Sequence, residues 1–135
     1  MTARYLLDTN IASFVIKGSF PGIRRRLARH PMAEIAISAV TEGELRYGVA
    51  RLPEAARLQS MVDEFLLRVT ILPWDSDAAR QYGQLRAILE RRGMVMGSLD
   101  MMIGAHALAS GLTLVTNDGA FERISGLKLQ DWTRP

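Results

Sequence analysis

Short apolar runs alternate along the chain with longer stretches in which apolar residues return every three or four positions. Tyr5-Leu6-Leu7, Ile35-Ala36-Ile37-Ser38, Val69-Thr70-Ile71-Leu72 and Leu112-Thr113-Leu114-Val115 lack the in–out alternation of a half-exposed strand. Such runs suit strands buried on both faces of a parallel sheet. Between them the spacing predicts helices. Ile11 to Lys17 carries Ile11, Phe14 and Val15 on one face and stops at Gly18-Ser19. Pro21 opens a second helix to Arg29, at the position proline favours. Leu45, Val49 and Leu52 mark a third helix, broken by Pro53. Glu54 to Arg68 turns Met61, Phe65 and Leu66 inward, and a long helix capped by Asp75 or Ser76 runs to Arg92 and Gly93. From Leu99 to Ser110 a helix is apolar nearly all round, and Gly111 ends it. Phe121 to Ile124 reads as a short turn or helix, and Leu127-Lys128-Leu129 as an edge strand. Strands alternating with helices predict an α/β fold, a parallel sheet wrapped by helices.

The polar residues that end the strands carry the chemistry. Leu7 is followed by Asp8-Thr9-Asn10, and Val115 by Thr116-Asn117-Asp118. Open parallel sheets bind ligands beyond the carboxyl ends of their strands, where these aspartates fall. Asp8 or Asn10 is equally suited to capping the next helix. Thr41 and Glu44 match a capping box, which gives Glu44 a structural task of its own. Asp100 sits in the first turn of an apolar helix, where Ser98 is a cap candidate and an acid complements the helix dipole. Tyr47 and Arg51 share the helical face of Glu44; they line a site if Glu44 faces one, and otherwise Tyr47 is a core aromatic. His106, alone on its helix, reads as a packed or partly exposed histidine rather than a ligand.

Each acid has a bland explanation, but parallel topology aims all four at one edge of the sheet. Clustered carboxylates repel, and some protonate unless a cation neutralises them. The chain has no cysteine and only two histidines. Oxygen-only ligands favour Mg²⁺ or Mn²⁺ over zinc, and such ions activate water and steady a leaving oxygen in phosphoryl transfer. No serine–histidine–acid pattern and no glycine-rich phosphate loop competes. A phosphotransferase with Asp8 as nucleophile is an alternative, weakened because Asn10 stands where that chemistry places a second aspartate. A non-catalytic binding module for RNA or protein is another.

Bulk properties narrow this little. The chain has 135 residues, 48% of them hydrophobic, and a net charge of +3. That size suits one domain, residues 1–135, with a real core. Absence of cysteine fits a reducing cytosol, hence a cytoplasmic expectation. Met1-Thr2-Ala3-Arg4 shows no secretion-signal pattern, and Asp100 and His106 interrupt the longest apolar stretch, short of the roughly 20 residues a membrane span needs. Arg24, Arg25, Arg26 and Arg29 give the second helix a basic surface but point in different directions, so a solvated face fits better than an RNA-binding stripe.

The sequence resembles PIN-domain ribonucleases, in particular the VapC toxins of bacterial type II toxin–antitoxin pairs. The likeness rests on Leu6-Leu7-Asp8-Thr9-Asn10, Glu44-Leu45-Arg46-Tyr47-Gly48, Leu99-Asp100 through Ala107, and Leu114-Val115-Thr116-Asn117-Asp118, and extends through Phe121-Glu122-Arg123-Ile124 to Trp132. It implies a three-layer α/β/α domain around a mostly parallel sheet of four to five strands. By the resemblance, Asp8, Glu44, Asp100 and Asp118 form a magnesium-binding acidic quartet with Asn10 and Thr116 as supporting polar residues. It further implies an Mg²⁺-dependent endoribonuclease (Mn²⁺ as substitute) that cuts structured RNA such as a transfer RNA loop, a homodimer, and a small antitoxin partner. Arg46, Tyr47, Arg51, Arg91 and Arg92 are candidate RNA contacts. One departure concerns the loop Met94-Val95-Met96-Gly97-Ser98, where relatives often carry prolines; four of the seven methionines fall between Met94 and Met102, as core filling or as a dimer or partner surface.

Overall fold

The structure, a computed structural model, describes residues 2–135; Met1, part of the segment read above for a secretion signal, lies outside them. The chain runs β1 (Tyr5–Leu7), α1 (Thr9–Lys17), α2 (Pro21–Ala28), β2 (Ile35–Ser38), α3 (Ala39–Ala50), α4 (Ala56–Arg68), β3 (Thr70–Leu72), α5 (Ser76–Arg91), α6 (Ser98–Ser110), β4 (Thr113–Val115) and β5 (Leu129–Gln130). One-turn 3-10 helices at Met32–Glu34 and Gly119–Arg123 complete it. The five strands are all parallel, in the order β3-β2-β1-β4-β5. Leu7 pairs with Ile37 on one side and with Val115 on the other, so β1 and β4 end level and β2 runs one residue further, to Ser38.

Successive strand residues feed opposite cores, as the pleat requires. Tyr5, Leu7, Ile35, Ile37 and Val115 pack with Ile11, Ile23, Leu45, Val62 and Phe65 from α1–α4. Leu6, Ala36 and Leu114 pack with Leu85, Leu89, Met101 and Ile103 from α5 and α6. Helices therefore cover both faces, giving three layers. Leu6, Leu7, Ile35, Ile37, Leu114 and Val115 have no exposed surface, which is why these strands read as unbroken apolar runs. No helix among the described residues is long and apolar enough to cross a membrane.

Several element boundaries move from their predicted places. The capping box predicted at Thr41–Glu44 does not form. Helix α3 starts directly after β2, capped by Ser38, whose side chain accepts from the Val40 N–H at 3.1 Å. Thr41 then lies inside the first turn and Glu44 in the second. Gly97, not Ser98, is the N-cap of α6, without a side-chain hydrogen bond. The helix after Pro53 starts at Ala56 rather than Glu54, and β3 is only partly buried. Asp75 caps α5 by accepting from Ala78, and Gly111 closes α6 at φ 67°.

The C-terminal segment is docked by a close approach at Gly22. A Cβ there would lie 2.4 Å from the Arg134 carbonyl oxygen and 2.7 Å from that of Trp132. The Arg26 guanidinium donates to the Arg134 carbonyl at 2.8 Å, and the buried Trp132 ring stacks on His30 with an edge toward Tyr5. Gly22→Ala is accordingly expected to push residues 132–134 off α2 and cost about 2–3 kcal/mol, the range for forced overpacking. Urea unfolding measures the cost, and Trp132 fluorescence in a Trp74→Phe background reports undocking as a red shift.

Candidate functional site

The strand order places one reversal in the sheet: the chain moves from β1 outward through β2 and β3, then crosses back to β4 on the far side of β1. That reversal opens the crevice beyond the carboxyl ends of β1 and β4. Asp8 lies in it, buried at 4% exposure, and its N–H continues the sheet by bonding the Val115 carbonyl at 3.1 Å. Its carboxylate is held on both oxygens. Oδ1 caps α1 by accepting from the Ile11 N–H at 2.8 Å, and Oδ2 accepts from the Thr116 hydroxyl at 2.5 Å. Capping and facing the crevice are thus not alternatives for Asp8; one oxygen serves each. Thr116 Oγ1 in turn accepts from the Asp118 N–H at 3.0 Å, which fixes the turn on which Asp118 stands.

Glu44 reaches the same edge from the second turn of α3. Its Oε1 accepts from the Thr9 hydroxyl at 2.6 Å, and Thr9 Oγ1 lies 3.1 Å from the buried Thr41 hydroxyl. Asp100 stands in the first turn of α6, half-buried, with Oδ2 3.7 Å from where a Cβ on Gly97 would sit. Asp118 is exposed and caps its 3-10 turn by accepting from the Ala120 N–H at 2.9 Å.

Two of the acids are raised, by burial and by their acidic neighbours. Burial pushes the Asp8 carboxyl up to about 6, against the pull of its bonds from Thr116 and Ile11 and with the help of the charges on Asp100 and Asp118. Asp100 is also raised, by burial first and then by Asp118 and Glu44. Among the described residues none of the four has an ion-pair partner, although seven ion pairs form elsewhere. A cluster of like charges without a countercharge is one that a cation would relieve. No three acids or histidines among the described residues close into a preformed metal cage, and of the three cavities at this edge two are lined by Glu44 and one by Asp118, none by Asp8 or Asp100. The donor set still fits a hydrated hard cation, because Mg²⁺ keeps several waters and takes only one or two carboxylates directly.

The flanking residues sort differently. Tyr47 is 67% exposed rather than a core aromatic, and the Arg51 guanidinium lies 5.9 Å from its ring centre. Both line a cavity of about 660 Å³ with Thr9, Glu44, Leu99 and Met102. Asn10 is exposed and lines the neighbouring cavity between α1, α3 and α4. Arg46 is paired with Glu42 one turn back at 2.8 Å. Arg91 and Arg92 are exposed at the end of α5, without a contact to the acids. Met94 and Val95 are exposed in the loop before α6, tethered by Arg123 donating to the Val95 carbonyl at 2.5 Å.

Sequence reasoning passed over the Thr9 hydroxyl and the pair of Ser38 with His106, and gave Thr41 to a capping box instead of the bridge to Thr9. His106 is buried, with Nδ1 2.8 Å from Ser38 Oγ, and burial holds it below its ordinary range. It fastens α6 to the end of β2 and is packed, as expected. The signal for the hydroxyls was a run of small polar residues where strand meets helix, which propensity assigns to caps.

Known proteins resemble the chain over nearly its whole length. The family model of the PIN domain matches residues 5–127. A tRNA(fMet)-specific endonuclease VapC of Shigella flexneri is 38% identical over 131 residues, covering 96% of this chain and 98% of that protein. Ribonuclease VapC2 of Rickettsia felis is 37% identical over 134 residues, with the same coverage. Among solved structures, DNA-bound VapBC from Salmonella typhimurium superposes with a TM-score of 0.90 at 38% identity, covering 96% of this chain and 98% of that one. VapBC2 of Rickettsia felis, bound to a promoter DNA fragment, gives 0.86 at 37% identity over 95% and 98% of the two chains. The matched residues 5–127 span β1 to β4 and both helical layers, and the chain belongs to the PIN-domain family, among its VapC ribonuclease toxins.

Proposed function

We propose that this nuclease is an Mg²⁺-dependent endoribonuclease that hydrolyses a phosphodiester bond in structured RNA, a transfer RNA loop being the favoured substrate, and so inhibits translation in the cytoplasm. The observation that carries the reading is the buried Asp8 carboxylate, raised to about 6 beside Asp100 and Asp118 with no countercharge. A bound Mg²⁺ or Mn²⁺ would supply charge neutralisation at the phosphate and a more acidic water. Asp8, held rigid by Thr116 and Ile11, and Asp100 would hold that ion; Glu44 and Asp118 would complete its shell or orient the attacking water. Thr116 supports Asp8 through its hydroxyl, and Asn10, exposed in the neighbouring cavity beside Glu44, would assist only toward a bound ion or RNA.

Loops are the favoured RNA because they present unstacked bases, and the relative from Shigella flexneri is named for a transfer RNA. Tyr47 offers an exposed ring to such a base, and Arg51 a charge to the adjoining phosphate. Arg91 and Arg92 are free to meet the backbone farther out, while Arg46 would first have to leave Glu42. The partner is a small antitoxin whose basic residue would oppose the acids, in line with the VapBC assemblies this fold matches, and the toxin itself is a homodimer.

Incubation of the purified chain with a pool of transfer RNAs tests the reading. Discrete fragments are expected with Mg²⁺ or Mn²⁺ and none with EDTA. Tight RNA binding without cleavage at any metal concentration would favour a binding module, and a trapped aspartyl-phosphate would favour phosphotransfer.

A further inference from the structure

The hydroxyls of Thr9 and Thr41 form a directed chain that ends on Glu44. A threonine hydroxyl carries one hydrogen. That of Thr9 is committed to Glu44 Oε1 at 2.6 Å, so at the 3.1 Å contact between the two threonines it is Thr41 that donates. The order is Thr41 O–H to Thr9 Oγ1, then Thr9 O–H to the carboxylate. Thr41 has no exposed surface, and its hydroxyl bridges from α3 to α1.

We propose that Thr9 and Thr41 are positioning residues that hold Glu44 in register with Asp8. Glu44 stands on a half-exposed helix face, where a free glutamate samples many rotamers and ordering it costs conformational entropy. Thr9 removes that freedom by holding one oxygen, Oε1, and leaves Oε2 as the oxygen available to a ligand. Thr9 follows Asp8 directly, and the same first turn of α1 supplies the Ile11 N–H that fixes Asp8 Oδ1. One turn of helix therefore sets two acids that are 36 positions apart in the chain. Donation from Thr41 orients the Thr9 hydroxyl, so its hydrogen is already aimed at Glu44. The inference rests on the reading of Glu44 as part of the site.

Titration with Mn²⁺ alone by calorimetry, beside steady-state RNA cleavage, tests it on Thr9→Val, Thr9→Ser, Glu44→Gln and the Thr9→Val/Glu44→Gln double variant. Valine is isosteric and lacks the donor. Thr9→Val is expected to weaken Mn²⁺ binding and kcat by about 10-fold or more, as loss of a residue supporting a metal ligand does, with KM for RNA changed by less than about 2-fold. Thr9→Ser keeps the hydroxyl and restores both to within about 3-fold of wild type. In the Glu44→Gln background Thr9→Val is expected to add nothing. Thr41→Val gives a smaller loss in the same direction. Wild-type Mn²⁺ binding and kcat in Thr9→Val beside a crippled Glu44→Gln overturns the positioning role alone, as does an equal further loss in the double variant. Wild-type behaviour of Glu44→Gln instead removes Glu44 from the site and overturns the functional reading with it.

Discussion

Asp8→Asn is expected to remove RNA cleavage by on the order of a thousandfold or more, several kcal/mol of transition-state stabilisation, while making the metal-free protein more stable near pH 7.5. The gain follows from the carboxylate's surroundings. Burial and the charges of Asp100 and Asp118 lift Asp8 from 3.8 to about 6. A raised carboxyl contributes stability that is fully present below its unfolded value and is lost as pH rises through its folded value. Two units correspond to about 3 kcal/mol carried as a penalty by the ionised form above pH 6. Asparagine keeps the cap, because its Oδ1 can still accept from Ile11. Its amide nitrogen can only donate toward Thr116 Oγ1, which reverses the bond and leaves the Thr116 O–H without its acceptor, at a cost of about 1 kcal/mol. The net gain is about 2 kcal/mol at pH 7.5, shrinking between pH 6 and pH 4 as wild-type Asp8 takes up its proton. Urea unfolding in EDTA across that range measures it. A less stable Asp8→Asn at pH 7.5 would mean that Asp8 serves the fold as a cap before it serves a site.

The strands and most helices were legible because a sheet buried on both faces writes itself as unbroken apolar runs. Leu6-Leu7 and Leu114-Val115 face opposite cores, and neither face tolerates a polar residue. Helix starts were less legible where side-chain oxygens compete. Ser38 ends β2 and caps α3 at once, so no turn separates them, and the capping-box pattern at Thr41–Glu44 pointed three residues too late. Strand ends and parallel topology were enough to place Asp8 and Asp118 just past β1 and β4 at one edge of the sheet. The hydroxyl bridge from Thr9 to Glu44 spans 35 residues and depends on how α1 packs against α3, which no local pattern encodes. Tyr47 was ambiguous for a related reason: helical spacing gives its face, but whether a neighbouring element covers that face is a tertiary fact, and none does.

On the proposed reading the same raised carboxyl sets how a cation competes with protons, and here the expected effect is on affinity. Metal binding to Asp8 displaces whatever proton it carries. With a value of about 6, Asp8 is almost fully ionised at pH 7.5 and mostly protonated at pH 5, so apparent Mg²⁺ or Mn²⁺ affinity is expected to fall about 10-fold across that interval from this group alone. Asp100, raised in the same direction by burial, Asp118 and Glu44, steepens the fall if it also binds the ion. Above pH 7 the curve should be flat, because no proton remains to be displaced. The competition also predicts that the acid limb of the RNA cleavage profile shifts to lower pH as metal concentration rises. Mn²⁺ calorimetry at several pH values, in two buffers of different ionisation enthalpy, counts the protons released. Asp8→Asn should remove most of the dependence, and a wild-type affinity that stays constant from pH 5 to pH 8 would place the cation away from Asp8.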